Sequence, residues 1–100
     1  METAEAKLVV IVLPYDESDR LARELKQLGV TGYTTMGVDG FGSQGTRRYG
    51  LTDGANVRVE IIVTASLRDR IFEHLTAEYA DVAFVAYTHD VSAIPRRHFE

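Results

Sequence analysis

Leu8-Val9-Val10-Ile11-Val12-Leu13 is an unbroken apolar run, rich in β-branched side chains and ended by Pro14. It is too short for a helix and reads as a strand, because β-branched side chains suit a pleated surface. Side chains alternate across a strand, so Leu8, Val10 and Val12 face one way and Val9, Ile11 and Leu13 the other. Both faces are apolar and both need cover, which puts this strand in the middle of a sheet.

The other elements follow from periodicity. Leu21, Leu25 and Leu28 recur at helical spacing behind acidic residues, and Gly29 suits the left-handed position that closes a helix, so the pattern predicts a helix from about Asp16 to Leu28. Tyr33 to Val38 is strand-like, and Val57, Val59, Ile61 and Val63 alternate with Arg58 and Glu60 in a period of two. Ser66 as N-cap, with Asp69 three residues on, introduces a helical face of Ile71, Phe72, Leu75 and Tyr79. A last strand is predicted at Val82 to Tyr87, followed by a basic tail.

The resulting order, βαββαβ, is the ferredoxin-like α+β sandwich, in which both crossover helices cover the same face of a four-stranded sheet. The other face is left open, yet it carries Leu8, Val10 and Val12. Burying such side chains stabilises by roughly 1.5 to 3 kcal/mol each, and only a partner surface can provide that burial. Self-association is therefore expected, with the number of copies left open.

A chain of 100 residues has room for one such domain, here 1-100. It has no cysteine, which excludes disulfides and thiolate metal sites, and a net charge of −4 gives no general attraction to nucleic acid. No apolar run approaches the roughly 20 residues of a transmembrane helix, and Met1 to Lys7 lacks the pattern of a signal peptide, so a cytoplasmic location is expected. All eight glycines fall between Gly29 and Gly54. That concentration is the compositional anomaly.

The stretch GVTGYTTMGVDGFGSQG, from Gly29 to Gly45, resembles the start of the regulatory loop in the PII signal-transduction family, which reads like GITGMTV followed by GFGRQKG. The likeness continues in register through IVLPY (Ile11 to Tyr15), VRVEIIV (Val57 to Val63) and the ending VAFVAYTHDVSAIPRR. It spans almost the whole chain.

The resemblance implies a homotrimer with an adenine nucleotide in each cleft between subunits. It places Thr31, Gly32, Tyr33 and Thr34 against the adenosine, and Ile11, Glu60 and Ile62 around the base. Gly40, Phe41, Gly42, Gln44 and Gly45 would cradle the phosphates, joined by Arg96 and Arg97 from a tail spanning 89-100. Ser43, Thr46, Arg47 and Arg48 are further candidates for phosphate or bicarbonate. The cradle also has a physical reading of its own, since glycines let backbone N–H groups approach phosphate oxygens closely and arginines add charge-assisted bonds.

Four departures narrow the ligand. Ser43 stands where the family usually has arginine, the lysine expected between Gln44 and Gly45 is missing, and Asn56 and Val82 replace two further lysines. Fewer cations favour ADP or AMP over ATP, which stays open alongside cyclic AMP, and argue against 2-oxoglutarate. The loop from 40 to 55 is short for a nitrogen-sensing member. With the ending DVSAIPRRHF, it looks most like the carboxysome-associated branch, in which bicarbonate binds beside the phosphates and the target is a bicarbonate transporter or a carboxysome component.

Competing readings explain less. Histidines 74, 89 and 98 lack the i, i+4 spacing of a zinc pair, so no metal site is expected. No catalytic residue is expected either, as Pro14-Tyr15-Asp16-Glu17 offers no acylphosphatase-like phosphate loop. The strands LVVIVL and VRVEIIV lack the aromatics on which an RNA-binding module stacks bases. A nitrogen-regulatory PII protein binding ATP or ADP, and a metal-tolerance trimer without nucleotide, remain the alternatives. The glycine-rich loop is unexplained by the latter. Tyr49 falls near a tyrosine that some PII proteins carry nucleotidylated, but beside Arg47 and Arg48 it reads as a packing or stacking residue.

Overall fold

The computed structural model describes residues 2-38, 40-42, 45-47 and 55-99, with side chains described outside 40-42 and 45-47. In chain order the elements are β1 (Ala4–Pro14), α1 (Ser18–Leu28), β2 (Thr34–Val38), β3 (Gly40–Gly42), β4 (Gly45–Arg47), β5 (Asn56–Val63), α2 (Ala65–Glu78) and β6 (Val85–Ala93). Single turns of 3-10 helix lie at Tyr15–Glu17 and Arg96–Phe99. The main sheet has the order β2-β5-β1-β6 with every neighbouring pair antiparallel, which is the expected ferredoxin-like arrangement. β1 is central, as its two apolar faces require.

The core lies between the sheet and the helices. Val9, Ile11 and Leu13 from β1 and Val57, Val59, Ile61 and Val63 from β5 meet Leu21 and Leu25 of α1 and Ile71 and Leu75 of α2. Each helix presents one side to the sheet because its apolar residues recur three or four apart. Gly29 ends α1 with φ 111°, a left-handed conformation that glycine adopts without steric cost. The Gly29 N–H donates to the Lys26 carbonyl at 3.1 Å and the Val30 N–H to Leu25 at 2.9 Å, satisfying the last turn. Val30 is then drawn into the core, and the chain emerges towards β2.

A polar clasp joins the helices. The Glu24 carboxylate accepts from the Tyr79 hydroxyl at 2.8 Å, from Arg20 Nε at 3.0 Å and from His74 Nε2 at 2.7 Å. An ionised carboxylate only accepts, so Nε2 is the protonated ring nitrogen. The Arg20 guanidinium also lies 4.3 Å from the Tyr79 ring centroid and donates to the Glu78 carbonyl. Burial pushes the Glu24 carboxyl up, but the bonds from His74, Tyr79 and Arg20 outweigh it and hold the group at about 2. Burial, reinforced by the bond to Glu24, pushes the Tyr79 phenol up.

Several boundaries differ from the sequence reading. Helix α1 starts at Ser18, because Tyr15–Glu17 forms a tighter turn in which the Ser18 hydroxyl donates to the Tyr15 carbonyl at 2.7 Å. Thr64, not Ser66, caps α2: its hydroxyl accepts from the Leu67 N–H at 3.2 Å. The last strand is Val85–Ala93 rather than Val82 to Tyr87, because Val82 and Phe84 pack on the helical core while Val85 to Ala93 pair with β1. Residues 89-93 of the expected tail are therefore strand.

The face without helices also differs in detail. Val10 is fully buried within the single chain, flanked across the ladders by Glu60 and Tyr87. The exposed apolar surface comes instead from Met36, Ile62, Val85 and Tyr87. By register, Ile62 lies opposite Leu8, Met36 opposite Arg58, and Val85 and Tyr87 opposite Val12 and Val10, so all four belong to this one face.

Candidate functional site: a pocket on the open sheet face

A pocket of about 250 Å³ on the open face is lined by Leu8, Gly32, Tyr33, Thr34, Glu60 and Ile62. Three strands build it. Leu8 of β1 stands opposite Ile62 of β5, and Glu60 of β5 stands opposite Thr34 of β2. Gly32 and Tyr33 enter as the chain descends from the α1 cap into β2. The lining is mixed: Leu8 and Ile62 supply aliphatic surface, Tyr33 a ring, and Thr34 and Glu60 hydrogen-bonding atoms. Small-molecule sites commonly combine these parts.

Gly32 shows what the pocket keeps free. A Cβ built there would meet nothing within 4 Å, so no contact inside the chain calls for glycine. A side chain would project into open space beside the pocket wall. Glu60 is held by Arg58 on the same face, Nε to Oε2 at 2.8 Å, although the guanidinium N–H is not aligned for a hydrogen bond. The charged pair therefore borders the pocket as a salt bridge, leaving carboxylate lone pairs for a donor such as an exocyclic amine.

Five of the residues singled out in the sequence, Gly32, Tyr33, Thr34, Glu60 and Ile62, thus come together. Thr31 is exposed just ahead of them in the chain. Ile11 does not join them: it is 0% exposed and belongs to the helix-covered core, on the opposite side of the sheet from Glu60 and Ile62. Its placement around a base is corrected by strand alternation, which separates odd from even positions. Leu8 lines the pocket although the sequence reading named it only for its face. Its pairing with Ile62 was the available signal.

Arg96 and Arg97 are exposed in the closing 3-10 turn, and Arg96 Nη1 lies 3.9 Å from Glu2 Oε1 near the start of β1. Neither arginine lines the pocket within one chain. The glycine-rich segment is a backbone hairpin, not an open loop throughout: Gly40 pairs with Arg47, Phe41 with Thr46 and Gly42 with Gly45. The side chains of Phe41, Thr46 and Arg47, and the whole of Ser43, Gln44, Arg48 and Tyr49, lie outside the described residues. Among the described residues, no three His, Asp or Glu side chains gather as a metal site, and no helix is long and apolar enough to cross a membrane.

Residues 6-98 match the family described as nitrogen regulatory protein P-II. The fold superimposes on a PII-like signaling protein from Thermus thermophilus with a TM-score of 0.86, 35% identity and 100% coverage of both chains. CPII from Thiomonas intermedia, bound to ADP and bicarbonate, has a TM-score of 0.88 at 24% identity, covering 99% of this chain and 98% of its own. The same protein bound to ADP, AMP and acetate gives 0.84 at 22% identity, with coverage of 99% and 98%. No curated protein sequence matches the chain.

Proposed function

Because the chain belongs to the nitrogen regulatory protein P-II family, we propose that it is a non-enzymatic, homotrimeric sensor that binds an adenine nucleotide in the pocket on the open sheet face. The observation that carries this reading is the convergence of Gly32, Tyr33, Thr34, Glu60 and Ile62 on one pocket, with an unfilled space above Gly32. Ile62, Leu8 and the Tyr33 ring suit the faces of a purine, and the Glu60 carboxylate suits its amino group. The exposed apolar side chains of this same face supply the contact between copies, so the nucleotide would lie where subunits meet.

ADP or AMP is favoured over ATP. The chain lacks four cations that the family resemblance leads one to expect, at Ser43, between Gln44 and Gly45, at Asn56 and at Val82. Arg96 and Arg97 from the closing turn, with Arg47 and Arg48, are the remaining candidates for the phosphates. Bicarbonate is proposed as a co-ligand, supported by CPII having been captured with ADP and bicarbonate. Ligand binding would signal through loop 40-55, altering the affinity for a target in inorganic-carbon metabolism. A cytoplasmic protein associated with carboxysomes fits this reading.

Calorimetry with AMP, ADP, ATP and cyclic AMP, each with and without bicarbonate, tests the ligand assignment. Tighter binding of ADP or AMP than of ATP, strengthened by bicarbonate, is expected. A preference for ATP that ignores bicarbonate would return the chain to a nitrogen-regulatory role.

A further inference from the structure

A second cavity, about 240 Å³, lies on the other side of the sheet, between α1 and the β2–β5 edge. Its floor is aliphatic: Leu21, Ala22 and Leu25 from α1 and Val57 and Val59 from β5. Its rim is polar, formed by Tyr15, Ser18, Asp19, Tyr33 and Thr35. Thr35, Val57 and Val59 occupy the strand positions that alternate with Thr34, Glu60 and Ile62, so the two cavities open on opposite faces. Tyr33, just ahead of β2, lines both.

The lining selects a chemistry. Among the described residues, the cavity is lined by no lysine, arginine or histidine, and its one charged group is the exposed Asp19 carboxylate. An anion such as phosphate, bicarbonate or a carboxylate would find no counter-charge there. A cation would find Asp19 together with two phenol rings, Tyr15 and Tyr33, whose faces attract positive charge. The volume exceeds the roughly 150 Å³ of a cavity that holds benzene and falls short of the about 300 Å³ at which drug-sized pockets begin. That is the space of one ring with a short chain. A second apolar hollow, between α2 and Phe84, is smaller and, among the described residues, has no charged lining.

We infer that this cavity is a binding site for a small organic amine, with its apolar body on Leu21, Leu25, Val57 and Val59 and its ammonium group at Asp19 between the Tyr15 and Tyr33 rings. The site opens on the opposite face of the sheet from the proposed nucleotide pocket, with Tyr33 the residue common to both linings, and does not depend on that pocket's assignment. Phenethylamine is a suitable probe and phenylacetate its anionic counterpart. Each is titrated into the full-length protein while the methyl signals of Ala22, Leu25, Val57 and Val59 are followed by NMR, with ADP titrated separately and read at Leu8 and Ile62.

Saturable shifts of the four cavity residues with phenethylamine are expected, with phenylacetate giving none. Asp19→Asn is expected to weaken the amine about tenfold. Ala22→Phe, checked for native secondary structure by circular dichroism, is expected to abolish binding by filling the floor. Absence of shifts up to roughly 10 mM amine, equal binding of phenylacetate, or unchanged affinity in Asp19→Asn would each overturn the inference, whatever ADP does at the other face.

Discussion

Leu8 stands directly opposite Ile62 in the β1–β5 ladder, and both side chains emerge on the sheet face that carries no helix. This pair connects the first apolar run of the sequence to the candidate nucleotide pocket. The same alternation that sends Val9, Ile11 and Leu13 into the core sends Leu8 out to form a wall of the pocket. A single strand thereby packs the core on one side and lines the candidate pocket on the other.

Gly32 is the sharpest place to separate these two roles. Gly32→Ala adds a methyl group where nothing in the chain lies within 4 Å, so stability should change by no more than about 0.5 kcal/mol. If the pocket holds a nucleotide, the methyl intrudes on it and ADP affinity should fall at least about tenfold. Thermal melting and calorimetry on the one variant measure both.

The closing turn is expected to act on the ligand and not on assembly. Arg96→Ala should weaken ADP several-fold through loss of a charge-assisted bond to a phosphate, with the oligomer intact by light scattering. Unchanged affinity would mean that Arg96 acts only at the chain terminus, where Glu2 lies nearby.

The exposed apolar face should govern self-association. Val85 is 50% exposed on that face and lies outside the pocket lining. Val85→Glu is expected to shift the mass measured by light scattering from three times the 11.1 kDa chain towards one, since an unpaired carboxylate at an apolar contact costs several kcal/mol. A Val85→Glu protein that remains trimeric would place the contact elsewhere.

The clasp between α1 and α2 makes stability depend on acid. Glu24 is held at about 2, below its ordinary 4.5, so its contribution is fully present above 4.5 and is lost as pH falls towards 2. Glu24→Gln should lower the melting temperature at neutral pH by several degrees and flatten the pH dependence between about 5 and 2. Equal pH slopes for the two proteins would show that other carboxylates dominate acid unfolding.

Much of this architecture was legible in the residues. The two-faced run at Leu8 to Leu13 marked the central strand, and the alternation from Val57 to Val63 marked its neighbour. The end of the chain was harder to read because Thr88, His89, Asp90 and Ser92 have no strand-like pattern of their own. Their strand exists through pairing with Glu5 to Val9, a long-range contact that local propensity does not report. Thr64 and Ser66 are both capping residue types, and only the bond to the Leu67 N–H distinguishes them.

The site was legible to a similar degree. The family resemblance grouped Gly32, Tyr33, Thr34, Glu60 and Ile62, which the fold gathers. It also grouped Ile11 with them, because a linear motif carries no record of which side of a strand a residue faces. The second cavity had no motif at all, since its lining comes from one helix, two strands and a turn that meet only when the chain folds.

Adenine-nucleotide binding in the pocket around Leu8 and Ile62 is what we propose for this face of the sheet. Its most direct test is calorimetric titration of ADP into the protein and into Ile62→Asp, which places a carboxylate in the pocket while disturbing only the open face. Saturable binding of one ADP per chain, lost in Ile62→Asp with the fold retained, is the expected result. No binding of ADP, or equal binding by both proteins, would contradict the account.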